Sequence, residues 1–143
     1  YYKVWIDALN KFNDEYFIYM QEDFFLYKNI DENKLINYKD FLEENKDYSF
    51  VRLLKSGNLQ NKKVTPTLHE IDSTNKNIFA MQATIWRTSD YIKLMETVKD
   101  PKWLENDKYR EAMVKLNMKG VYQNELIPIL LENKINTQKR GTY

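Results

Sequence analysis

Short apolar runs rich in aromatic and β-branched residues alternate along this chain with stretches of helical periodicity, and this alternation constrains the fold more than any single residue. Val4, Trp5, Ala8, Leu9 and Phe12 recur at helical spacing within residues 1–14 and predict an amphipathic helix. Tyr16 to Met20 reads Tyr-Phe-Ile-Tyr-Met, too short for a helix and suited to a buried strand. The acidic pair Glu22-Asp23 follows, then Phe24, Phe25 and Leu26. Asp31 is placed to cap a second helix carrying Leu35, Ile36, Tyr38, Phe41 and Leu42 inward. Tyr48 to Leu54 reads as a strand, Lys55 to Thr65 as a polar loop around Gly57, and Thr67 to Ile71 as a short strand. Ile78 to Trp86 is apolar and extended at its start. Thr88 or Ser89 caps a helix through Val98, and Asp100-Pro101 is an N-cap and N1 pair. A helix from Asn106 to Asn117 carries Tyr109, Ala112, Met113 and Leu116, with Gly120 closing it, and Glu125 to Asn133 reads as a further helix. Helices alternating with strands predict one α/β layered domain over residues 1–143 with a mainly parallel sheet. Because the pattern opens on a helix that feeds a strand, the domain is expected to be incomplete at its N-terminus.

Composition removes several classes of function. The 143 residues are 43% hydrophobic and 15% aromatic, which supplies a core and excludes disorder. With no Cys and one His, His69, neither a disulfide scaffold nor a thiolate or multi-histidine zinc site can form. His69 itself reads as a strand residue rather than a catalyst. A net charge of +1 creates no field that would select nucleic acid. No apolar run approaches the roughly 20 residues that span a bilayer, and residues 1–8 hold no apolar signal core. The absence of Cys agrees with a reducing, cytoplasmic setting. The three glycines stand apart at 57, 120 and 141, so no phosphate-binding loop, dinucleotide fingerprint or nucleophile elbow is present.

Ligands of open α/β sheets bind beyond the carboxyl ends of the strands. Glu22-Asp23 falls just past one such end. Two carboxylates there read either as a solvated turn and cap pair or as an oxygen site for a hard divalent cation or a sugar hydroxyl. Neighbouring strand residues point to opposite faces, so Asp23 is the direct ligand in the second reading and Glu22 its support. Arg52 and Lys55 close another strand on the same edge, where they pair with phosphate or remain surface cations. Gln82, Trp86 and Trp103 either line a sugar site, through an amide and stacking faces, or pack into the core.

The run from Tyr16 to Leu26, Tyr-Phe-Ile-Tyr-Met-Gln-Glu-Asp-Phe-Phe-Leu, resembles the strand and acidic pair of a family of bacterial and viral GT-A-type glycosyltransferases. The helix before it with Trp5 and Leu9, the segment from Tyr48 to Gly57, the stretch from Ile78 to Arg87, and Pro101-Lys-Trp-Leu-Glu105 are similar to later family segments in the same order. The resemblance covers most of residues 1–120 and implies a Rossmann-like GT-A-type fold that transfers a sugar from a nucleotide-sugar donor to a glycan or other hydroxyl acceptor. It implies Mn²⁺ or Mg²⁺ at Asp23 and Glu22 offsetting charge on the departing nucleoside diphosphate. It also implies Glu105 as a carboxylate base near the acceptor, with Asp107 behind it. The chain departs from the family in having Glu-Asp where two Asp are frequent. It also lacks a nucleotide-binding half before the pair and a His-rich stretch between Gly120 and Asn124, so missing residues are expected near 120–125. The implied setting is capsular or cell-surface glycan synthesis, in the cytoplasm or peripherally at the membrane surface. An alternative of another class is a non-catalytic carbohydrate-binding or protein-interaction module.

Overall fold

The structure is a computed structural model and describes residues 2–21, 24–26, 29–54, 62–71, 74–75, 78–99, 107–124 and 129–131. Among these residues the helices are α1 (Tyr2–Phe12), α2 (Glu32–Glu44), α3 (Thr88–Val98) and α4 (Asp107–Lys115). The strands are β1 (Tyr16–Tyr19), β2 (Phe24–Leu26), β3 (Tyr48–Arg52), β4 (Lys62–Lys63), β5 (Leu68–Ile71), β6 (Thr84–Arg87), β7 (Lys119–Gln123) and β8 (Ile129–Leu131).

Local chemistry explains most helix ends. Asp31 accepts the Asn33 N–H through Oδ1 at 3.0 Å and starts α2. Asn45 closes α2 by donating both its backbone N–H and Nδ2 to the Phe41 carbonyl. Asn13, Lys99 and Asn117 take positive φ angles of 53°, 50° and 52° just past α1, α3 and α4, where a left-handed residue lets the last carbonyls be satisfied. Gly120, expected to end α4, instead lies inside β7. The apolar stripe of α1 is also rotated from expectation. Trp5 and Leu9 face the core together with Tyr2 and Ile6, while Val4 and Phe12 are exposed.

The main sheet has six strands in the order β1-β6-β3-β7-β5-β4, and β2 pairs with β8 in a separate two-stranded sheet. The expected mainly parallel, Rossmann-like sheet is not what forms. β3 and β7 are parallel neighbours, whereas β1·β6, β3·β6, β5·β7 and β4·β5 are antiparallel. The reason lies in the connections. Parallel neighbours need a crossover of about a dozen residues, usually a helix. No described helix separates β3, β4, β5 and β6, so β6 can return antiparallel and insert between β1 and β3. The helix expected over residues 125–133 is likewise replaced at 129–131 by β8.

Strand register sorts the core onto two faces. Phe17, Trp86, Phe50, Gly120 and Ile71 align across the sheet, and Tyr19, Thr84, Arg52, Tyr122 and His69 align in a second row. The aromatic residues of these rows pack with α1, α3 and α4. The row between them, Ile18, Ile85, Val51, Val121 and Glu70, belongs to the opposite face, where Val51, Ile85 and Val121 pack against Tyr38, Phe41 and Leu42 of α2 and Phe24 of β2. Helices therefore cover both sides of a mixed sheet.

Candidate functional site

Strand direction assembles one edge. β1 and β3 both run antiparallel to β6, and β7 is parallel to β3, so the carboxyl ends of β1, β3 and β7 open on the same side. β6 begins there, with Thr84 opposite both Tyr19 and Arg52. Gln21 and Phe24, which flank the acidic pair in sequence, are joined at this end of β1 by a 3.2 Å bond from the Phe24 N–H to the Gln21 carbonyl. The expected metal ligands Glu22 and Asp23 lie outside the described residues, as do Lys55, Trp103 and Glu105.

Arg52 occupies the centre of the edge and is not a surface cation. It is 1% exposed, and its Nη2 donates to the Ile78 carbonyl at 2.9 Å. Its guanidinium carbon lies 5.9 Å from the Phe50 ring centroid. Burial pulls its pKa down to about 10, because the charged form loses hydration. Its position in sequence left two readings, phosphate partner or surface cation, and its burial removes the second.

The bond to Ile78 fixes the start of segment 78–83. The Leu53 N–H donates to Ala83 at 2.8 Å and fixes its end. Between them Gln82 is half-buried, its N–H bonded to Ala80 and its carbonyl accepting from Thr84 Oγ1 at 2.8 Å. Gln123, at the end of β7, is buried and donates through Nε2 to the Leu53 carbonyl at 2.6 Å. Trp86, which read either as a stacking surface or as core, is 4% exposed and sits among Phe50, Tyr91 and Phe79 at 4.6, 5.2 and 6.4 Å between ring centroids. Its ring belongs to the core. Asp107 opens α4 with its carboxylate 82% exposed and 3.5 Å from Arg110 Nη2, an accessible position for an acid or base. His69 stacks on Tyr122 at 5.4 Å, in the same row as Arg52.

Of the expected site residues that are described, Arg52 and Gln82 are brought to one edge. Trp86 is withdrawn into the core, and Asp107 stands at the start of α4. The Phe79–Tyr109 stack, Tyr122 and Gln123 were not singled out from sequence. The two-residue strand period puts Arg52 on the side of Phe50, but nothing in the sequence says that this side is covered at Arg52. Among the described residues no group of three or more His, Asp or Glu side chains could hold a metal ion, and no helix is long and apolar enough to cross a membrane. The carboxylate chemistry of Glu22 and Asp23 suits a hard cation.

Among the described residues, clefts also lie away from this edge. One, about 260 Å³, is apolar and runs between β1 and α2, lined by Tyr16, Ile18, Leu35 and Ile36. Another, about 280 Å³, is polar and lies at the opposite end of the sheet, beside Ser49, Asp90, Lys93 and Lys119. No family model and no curated protein sequence matches this chain.

Proposed function

We propose that this chain is the catalytic, acceptor-side part of a glycosyltransferase that moves a sugar from a nucleotide-sugar donor to a hydroxyl of a glycan. The observation that carries the reading is the common opening of the carboxyl ends of β1, β3 and β7, with Glu22-Asp23 following β1 in sequence. The ordered resemblance of residues 16–105 to GT-A-type transferases supports it. Asp23, backed by Glu22, would hold Mn²⁺ or Mg²⁺, which would supply positive charge to offset that of a departing nucleoside diphosphate. Glu105 takes the proton of the attacking hydroxyl, with Asp107 beside it in sequence and exposed at the head of α4. Gln82 hydrogen-bonds the acceptor, and Trp103 stacks on it. The setting is glycan synthesis in the cytoplasm or peripherally at the membrane surface.

A thermal-shift screen of nucleoside diphosphates and nucleotide sugars, with and without Mn²⁺, tests the reading. A ligand that binds only the folded chain adds about 2.7 kcal/mol at a hundredfold excess over its Kd. The expected result is a metal-dependent shift for one nucleotide that Asp23→Ala abolishes while leaving the unliganded Tm unchanged. A shift from free sugar without metal, and none from nucleotides, would instead identify a carbohydrate-binding module.

A further inference from the structure

Arg52 has a second consequence for the same edge, through what it holds. Its Nη2 is bonded to Ile78, and the next residue, Phe79, stacks on Tyr109 with ring centroids 4.7 Å apart and planes 13° from parallel. Tyr109 is fully buried and sits two residues past Asp107, in the first turn of α4. Segment 78–83 is thus tied at one end to β3 and through Phe79 to the head of α4. Ile78, Phe79 and Met81 are all buried, so the segment cannot shift without disturbing the core. Arg suits this place because its planar fork fixes a carbonyl in direction as well as distance, which the single flexible ammonium of Lys does not.

We infer that Arg52 is a positioning residue for the acceptor half of the proposed site. Through the Ile78 carbonyl and the Phe79–Tyr109 stack it sets the place of Gln82 and of the α4 head that carries Asp107. The inference rests on the transferase reading, but its mechanical part stands on its own. Misplacement of a reacting group by about 1 Å can reduce turnover about a hundredfold, so a distant strut can govern transfer without touching substrate.

The experiment compares the wild-type chain with Arg52→Lys, Phe79→Leu and, as a control for lost packing alone, Leu94→Ala on α3, which is fully buried. Three quantities are read on each: amide hydrogen exchange, donor affinity by nucleotide-dependent thermal shift, and the ratio of transfer to acceptor over hydrolysis of the donor by water. In Arg52→Lys and Phe79→Leu, exchange is expected to rise about tenfold in 78–83 and 107–113 but not in α2 or β1. The ratio of transfer to hydrolysis should fall about tenfold or more with donor affinity unchanged. Leu94→Ala should lower Tm and leave the ratio intact. Unchanged exchange in both segments, a rise spread evenly over the chain, or a ratio that falls equally in Leu94→Ala would overturn the strut. Loss of donor affinity in Arg52→Lys would do so too, by showing that Arg52 serves the donor. A wild-type chain that neither binds nor hydrolyses any nucleotide sugar would overturn the transferase reading and with it the acceptor role, leaving the strut to the exchange comparison. A chain that binds donor but fails the exchange comparison would overturn this one alone.

Discussion

On one face of the six-stranded sheet, Phe17, Trp86, Phe50 and Tyr122 set their rings against α1, α3 and α4; on the other, Val51, Ile85 and Val121 meet α2. Each face also buries one arginine, from neighbouring strands. Arg87 of β6 serves the α2 face. It donates to the Leu42 carbonyl and, at 3.2 Å, to both Lys46 O and Asp90 Oδ2, so its charge meets the carbonyl-rich end of α2 and a carboxylate. Arg52 of β3 serves the aromatic face and holds the edge segment that begins at Ile78. The same side chain thus secures a helix on one side and shapes the candidate site on the other. The neighbours decide the role: a helix terminus supplies acceptors that need a cation, whereas an irregular segment supplies a carbonyl that needs to be held still.

The strongest test of the difference is Gly120→Ala. A Cβ at Gly120 would collide with the Phe50 ring, which is confined by Trp86 at 4.6 Å between centroids. Overpacking of this kind costs about 3 kcal/mol. The Tm in a thermal melt should fall by roughly 10 °C. A loss under about 1 kcal/mol would mean that the aromatic face has slack.

A smaller effect is expected on the other face. Arg87→Met preserves much of the volume but strips the Leu42 and Lys46 carbonyls of their donor. Leaving buried acceptors unsatisfied costs about 2 kcal/mol, read from the urea midpoint at constant slope. If fraying is confined to the C-terminal turn of α2, as hydrogen exchange would show, the arginine is a helix anchor. If β6 loosens as well, it is a sheet residue.

The least effect belongs to the rim of the α2 face. There Lys62 meets Glu70 at 2.9 Å, and Tyr48 donates to Glu70 at 2.7 Å. The Lys62 bond, with Tyr48 in support, holds the Glu70 carboxyl below its usual 4.5, while burial and the bond to Glu70 push Tyr48 up to about 12. A carboxyl whose folded pKa is depressed contributes stability above its unfolded value, and that contribution fades as pH falls below it. Lys62 is 70% exposed, so solvent screening keeps the gain under about 1 kcal/mol. Wild type and Glu70→Gln, unfolded at roughly pH 6 and pH 3, should differ more at the first than at the second.

Residues that act on near neighbours were legible in the sequence. Asp31 was placed as the cap of α2, and β1, β3 and β5 fall within their expected runs; of the inward set Leu35, Ile36, Tyr38, Phe41 and Leu42, all but the exposed Ile36 pack inward. The start of α4 at Asp107 lies within a residue of expectation. Residues whose surroundings come from far along the chain were misread. Ile129–Leu131 has the composition of a buried helix, and its partner in β2 lies about a hundred residues earlier. Trp86 could be read as core or as ligand surface, because the rings that cover it come from β3, α3 and segment 78–83. Of the candidate site, Arg52 and Gln82 could be found, but not what they do, because the Ile78 carbonyl that Arg52 holds lies 26 residues away.

The sequence by itself determined α1 to α4, the cap of α2 and the runs of β1, β3 and β5, because periodicity and capping act within a few residues, whereas α3 is preceded by Arg87 and not capped by Thr88 or Ser89. It also determined the exclusions that follow from no cysteine and a single histidine. Only the tertiary structure decided the strand order, the antiparallel insertion of β6 between β1 and β3, and the burial of Arg52 and Arg87 on opposite faces. Pairing and register depend on which distant strand reaches an open edge, and a two-residue period fixes which faces a strand has without saying what each will meet.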